Sequence, residues 1–226
     1  MITYKNLTLI GTSHIAIQSI EEVKTIIREK KPEIVALELD KPRFQALLSK
    51  KKYKLRLRDI QRFGLKGFLF NFIGAFAEKK MGKLVGVTPG SEMRVAIREA
   101  REINAQIALI DQDISITLRR LSQKLTWKEK FRFIKDVIKS LFVREKINFD
   151  LKKVPDQKTI DKLTKNVKKQ YPNFYLVLVD ERNKYMAQNL YNLMQQDNSI
   201  IAIVGAGHEK EIINEIKKWE YLAKKR

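Results

Sequence analysis

The amino-acid sequence predicts an α/β fold, a mainly parallel central sheet flanked by helices and carrying a helical insertion. Near-continuous apolar runs recur at Leu7–Ile10, Glu33–Glu38, Gln106–Ile110 and Ile200–Val204. Such runs suit strands buried on both faces, and segments of helical period separate them. The 226 residues are 44% apolar with only nine Gly and five Pro. That is enough to bury a core, and it excludes disordered and collagen-like classes.

Taken in order, Leu7-Thr8-Leu9-Ile10 is the first strand and stops at Gly11. Ser19 reads as a helix N-cap with Glu22 three residues on, and Val23, Ile26 and Ile27 follow at helical spacing. Glu33–Glu38 then completes a βαβ unit. Ile60–Lys80 carries Leu65, Phe68, Leu69, Phe72, Ile73 and Phe76 three or four apart, a stripe that suits core packing better than a membrane surface. A helix over Glu92–Ile103 precedes the strand Gln106–Ile110. Ile114–Leu125, Trp127–Val143 and Thr159–Tyr171 mix charged and apolar positions as exposed-face helices do, so the span from about 115 to 198 reads as a helical insertion. Within it, Phe131, Phe133, Met186 and Met194 fall at core-like spacings. The strand Ile200–Val204 leads into a helix over Glu209–Trp219. No linker or repeat divides the chain, which reads as a single domain over 1–226.

Charge and cysteine content narrow the chemistry. With no Cys there are no disulfides, thiolate metal sites or cysteine nucleophiles. The longest uncharged stretches, Gly67–Ala77 and Asn198–His208, are too short to cross a bilayer, and the start lacks the pattern of a signal peptide. The expected location is cytoplasmic. Forty-six Lys+Arg against 26 Asp+Glu give a net charge of +20, a field that attracts acidic partners. The densest run, Lys50–Arg58, has six cations in nine positions. It reads either as a solvated face or as a surface for nucleic acid or an anionic membrane, although no nucleic-acid motif accompanies it. A second copy of the chain is a further candidate partner.

Only two histidines exist, and each ends a Gly-x-x-His tetrapeptide: Gly11-Thr12-Ser13-His14 and Gly205-Ala206-Gly207-His208. Both follow a predicted strand, at the carboxyl edge where open parallel sheets bind ligands. Gly lets the backbone turn off the strand while the imidazole projects over the edge. Two imidazoles and a carboxylate can hold a divalent metal, and Glu38-Leu39-Asp40 ends a strand on the same edge. The plainer reading has each His capping the helix that follows it. Asp111 and Asp113 reach the same edge, whereas Glu92 and Arg94 open a helix whose dipole an acid in the first turn complements. There is no Gly-x-Ser-x-Gly elbow, Walker A sequence, His-Glu-x-x-His helix or Rossmann fingerprint.

These residues carry a resemblance. Gly11–His14, Val35–Asp40 with Arg43, Pro89–Arg94 with Ala96, Ile110–Ile114 with Leu118 and Arg119, Asp180–Asn183 with Met186-Ala187, and Val204–His208 stand in the order seen in the TraB/PrgY family. The match covers about residues 7 to 215. That family resembles the Tiki proteins and the ChaN and erythromycin-esterase-like folds, which implies a ChaN/EreA-like core. Two blocks depart from the family's pattern: Asp111-Gln112-Asp113 stands where Asp-Arg-Asp is usual, and Glu181-Arg182-Asn183 where Glu-Arg-Asp is usual.

The resemblance implies a metal-dependent hydrolase or peptidase acting on a peptide or small polar substrate. It carries His14, His208 and Glu38 over as the metal set, with zinc, manganese and cobalt not distinguished. A metal held there brings the pKa of bound water towards about 7. Glu38 is either a ligand or the general base, and Arg182 or Arg43 stabilises an oxyanion or holds a substrate carboxylate. The duller fate of each Arg is to pair with Asp180, Asp40 or Glu181. Asp40, Glu92, Arg94, Asp111, Asp113 and Glu181 form a second tier. PrgY-like members imply the alternative, a non-catalytic regulator that sequesters a peptide or anionic partner.

Overall fold

The computed structural model describes residues 1–12, 17–49, 90–142, 156–223 and 225. Ser13, His14, the basic run Lys50–Arg58 and the predicted helix Ile60–Lys80 lie outside the described residues.

Five strands form one sheet in the order β1-β2-β5-β3-β4. They are β1 (Ile2–Tyr4), β2 (Leu7–Thr12), β3 (Ile34–Leu37), β4 (Gln106–Leu109) and β5 (Ile200–Gly205). All neighbours pair parallel except β1, which runs antiparallel to β2 after a tight turn through Lys5 at φ 52°. The sequence reading missed β1, because three residues at an edge are too few to show a period. It also ended β2 early: Gly11 and Thr12 continue the ladder opposite Val204 and Gly205. The last strand in the sequence, β5, sits between β2 and β3, with Ile200 in register with both Leu7 and Ile34.

Among the described residues the helices are α1 (Ile17–Lys30), α2 (Lys41–Leu48), α3 (Ser91–Glu102), α4 (Ile114–Lys124), α5 (Trp127–Phe142), α6 (Gln157–Gln170), α7 (Pro172–Tyr175), α8 (Glu181–Met194) and α9 (Glu209–Ala223). Ser19 lies inside the first turn of α1 and is buried, so it is not the N-cap that its spacing suggested. Alternate strand residues divide the core into two layers, as the pleat requires. Leu7, Leu9, Ile34, Ala36, Ile200 and Ala202 pack with Met186 and Leu190 of α8 and Ile212 and Ile216 of α9. Ile10, Val35, Leu37, Ile201 and Ile203 pack with Val23 and Ile27 of α1 and with Met93, Ala96 and Ile97 of α3.

Within the span 115–198, α8 therefore covers a sheet face, whereas α6 buries none of its residues. Met186 and Met194 are core residues and Phe133 stacks on Phe174, but Phe131 is 68% exposed beside Trp127. A π turn, Leu176–Asp180, joins α7 to α8, with the Glu181 N–H bonded to the Leu176 carbonyl. Such a turn adds about one residue to the ladder and shifts the face presented beyond it. No helix among the described residues is long and apolar enough to cross a membrane.

One buried acid ties α1 to α3. Glu99 has no exposed side-chain surface, and it accepts from Arg28 and from Arg98 Nη2 at 2.8 Å. Burial works to raise its pKa, but the hydrogen bonds and charges of Arg28 and Arg98 outweigh that and lower it. A lowered folded pKa stabilises the fold above the ordinary carboxylate range, and this stabilisation is lost as pH falls through the folded value. Both arginines are about half exposed, so screening limits the effect to about 1 kcal/mol. Urea denaturation between pH 7 and pH 3 should show a smaller pH-dependent loss in Glu99→Gln than in the wild type.

Candidate active site at the carboxyl edge

The four parallel strands end on one edge, and the chain just beyond them carries most of the predicted site residues. The ladder continues past β3, where the Glu38 N–H donates to the Ile203 carbonyl at 3.1 Å and the Ile110 N–H donates to Leu37 at 3.0 Å. These bonds hold Glu38 beside the end of β5. The Gly205 N–H donates to Glu38 Oε2 at 2.7 Å, and Glu38 Oε1 meets Arg182 Nη2. The Glu38 side chain is only 5% exposed, so its charge is compensated inside the protein.

Arg182 enters from the first turn of α8, just past the π turn. Its Nε and Nη2 grip the two oxygens of Asp111 at 3.0 and 2.6 Å, and Nη1 donates to the Leu178 carbonyl at 3.1 Å. Burial opposes its charge, yet Glu38 and Asp111 more than offset this and raise its pKa. Asp111, fully buried, also accepts from Arg43 Nη2 at 2.6 Å and from the Gln112 N–H at 2.8 Å. Burial likewise lowers the pKa of Arg43, but Asp111 and Asp40 raise it overall. Asp40 caps α2 by accepting from the Arg43 N–H at 2.8 Å, and it accepts from the Ile114 N–H at 2.7 Å.

His208 lies where β5 gives way to α9. Its Nδ1 is 2.5 Å from Asn183 Oδ1, and its Nε2 is 3.5 Å from Glu38 Oε1. A carbonyl oxygen only accepts, so Nδ1 carries the hydrogen, and Nε2 faces the carboxylate.

No motif glycine has positive φ, and close approach accounts for Gly11 alone. Gly90 is the one glycine among the described residues with positive φ. A Cβ on Gly205 would lie 3.4 Å from His208 Cδ2 and 3.6 Å from Glu38 Oε2, while one on Gly11 would strike the buried Glu209 carboxylate at 2.2 Å. Gly11 thus makes room for the Glu209 side chain at the strand end, whereas Gly205 would hold a Cβ in ordinary contact.

The fold brings together Glu38, Asp40, Arg43, Asp111, Arg182 and His208. Other second-tier residues go elsewhere. Asp113 caps α4 by accepting from the Ser115 N–H at 2.7 Å. Glu181 pairs with Arg120, so Arg182 is free of the partner its sequence neighbour offered. Glu92 is buried in the first turn of α3. Arg94 lines a separate cleft of about 480 Å³ with Leu47, Leu48, Ile97, Arg98 and Arg101. Sequence reasoning named Asn183 only as a departure from a pattern and Glu209 only as a helix start. Asn183 is spaced as an α8 neighbour of Arg182, but its bond to His208 depends on tertiary placement.

A mostly parallel sheet with buried acids, guanidinium forks and an imidazole at its carboxyl edge defines an α/β protein with a polar site at the topological switch point. A model of the TraB/PrgY/gumN family matches residues 2–224, and the chain belongs to that family. An uncharacterized protein of Methanocaldococcus jannaschii is 41% identical over 94% of this chain and 53% of its own length. TraB domain-containing proteins of Homo sapiens and Mus musculus are 22% and 21% identical over 88% of the chain and 60% of their own length. The chain thus spans between half and two thirds of these relatives.

Proposed function

We propose that the chain is a metal-dependent hydrolase acting on peptides or a related small polar substrate. The observation that carries this reading is the facing of His208 Nε2 and Glu38 Oε1 across 3.5 Å. Two ligands of a tetrahedral divalent ion, each at about 2.0–2.1 Å, stand about 3.4 Å apart. Among the described residues no group of three or more His, Asp or Glu is gathered for a metal, and this reading takes His14, from the first Gly-x-x-His, as the third donor. The ion's chemistry, when bound, is a water of pKa near 7 and a polarised carbonyl.

The chain's own residues supply the rest. The Gly205 N–H anchors Glu38 Oε2, while Oε1, which also accepts from Arg182, faces His208. Arg182 is fully engaged by Asp111, Leu178 and Glu38, so it orients Glu38 and does not reach for substrate. Arg43 is a third exposed, and it is the guanidinium able to meet a substrate carboxylate or developing negative charge.

A second reading, a regulator that sequesters a peptide or anionic partner, draws on the same arginines. Glu38 Oε1 and both Asp111 oxygens are already paired, as in a purely structural network. Metal analysis separates the two. The wild type should carry one divalent ion per chain and cleave a fluorogenic peptide pool, and His14→Ala and His208→Ala should each lose both properties. Unchanged metal content in both variants would overturn the hydrolase and leave the regulator.

A further inference from the structure

The hydrogen bond between His208 and Asn183 points to a role for α8 that neither the family match nor the ligand set assigns. Asn183 is 2% exposed, and its Oδ1 lies 2.5 Å from His208 Nδ1. The two orientations of an amide must be told apart by their bonds. With Nδ2 turned toward the ring, the contact would be an N–H···N bond at 2.5 Å, far shorter than such bonds are. With the oxygen turned toward the ring, Nδ1–H makes a short bond and Nε2 faces Glu38. The cost is an Asn183 Nδ2 that is buried without a hydrogen-bond partner. A buried group left unsatisfied in this way is retained where its other atom is needed.

We propose that Asn183 is the positioning residue for His208, locking the imidazole as its Nδ1–H tautomer with Nε2 facing Glu38. This rests on the metal reading only for its consequence, since the tautomer is set whether or not an ion is present. The amide also accepts without adding charge. Arg43 and Arg182 already stand against Glu38, Asp40 and Asp111, and Asn183 fixes the ring without adding a fourth anion to that group. Ligating histidines are commonly held by such a bond from the second ring nitrogen, and its loss weakens metal binding about 10- to 100-fold.

The test is nitrogen-15 spectroscopy of the two imidazoles in metal-free protein, with His208 assigned by the signal missing in His208→Gln. Wild-type His208 should be in the Nδ1–H form at pH 8. Asn183→Ala should give a mixture of tautomers, and Asn183→Asp, whose carboxylate also accepts, should restore the Nδ1–H form. Zinc titration should then show affinity at least about tenfold weaker in Asn183→Ala than in the wild type or Asn183→Asp. An Nε2–H form in the wild type, or an unchanged tautomer in Asn183→Ala, overturns the proposal. Wild-type protein in the Nδ1–H form that takes up no zinc would end the metal reading and leave the assignment of Asn183 supported.

Discussion

Replacing Arg182 with leucine is expected to destabilise the protein by about 3–5 kcal/mol, the largest effect of any single change at the carboxyl edge. The guanidinium stands between two carboxylates whose side chains are 5% and 0% exposed. Its removal takes from Glu38 and Asp111 a guanidinium that both accept from, and both carboxylates stay buried away from bulk water. The same logic fixes the sign of the compensating change. The triple variant with Glu38→Gln and Asp111→Asn should recover much of the loss, because the uncompensated charges go with the arginine. Urea midpoints for the two proteins decide it, and a loss below about 1 kcal/mol in Arg182→Leu would mean that the ion pairs do not hold this edge together.

Glu38→Gln is expected to abolish metal uptake and reduce hydrolysis by about 10²–10⁴-fold while leaving the fold intact. Glutamine keeps the volume, and its amide oxygen can still accept from the Gly205 N–H. Arg182 retains its grip on Asp111, so the element positions survive. What disappears is the negative charge opposite His208 Nε2. Metal content and peptide turnover, compared at matched stability, check the result. Full metal loading in Glu38→Gln would remove Glu38 from the ligand set and leave the gap at His208 to a proton.

Much of this edge was legible in the sequence. The apolar runs gave β2, β3, β4 and β5 to within two residues, because a strand covered on both faces has no reason to alternate. Glu38, Asp111 and the second Gly-x-x-His could be placed together because a parallel sheet sends every strand end to the same side. Other features left no local trace. The order of strands is a tertiary choice, so the insertion of β5 between β2 and β3 cannot be read from either neighbour. The π turn before Glu181 is built from Leu176–Asp180, residues that suit an ordinary helix equally well. The pairing that the sequence offers Arg182 as the alternative to a substrate role is with Asp180, Asp40 or Glu181, yet its acids are Glu38 and Asp111, 144 and 71 positions away.

The central place of β5 has a consequence for how the protein matures on the ribosome. Until roughly residue 205 has emerged, a nascent chain has β2 and β3 with facing edges unfilled, and such open backbone invites intermolecular pairing. The strand that fills the slot also delivers Gly205 and His208. Filling of the central slot and assembly of the imidazole–carboxylate pair therefore fall within a few residues of each other in synthesis, before Ile212 and Ile216 of α9 complete that layer of the core.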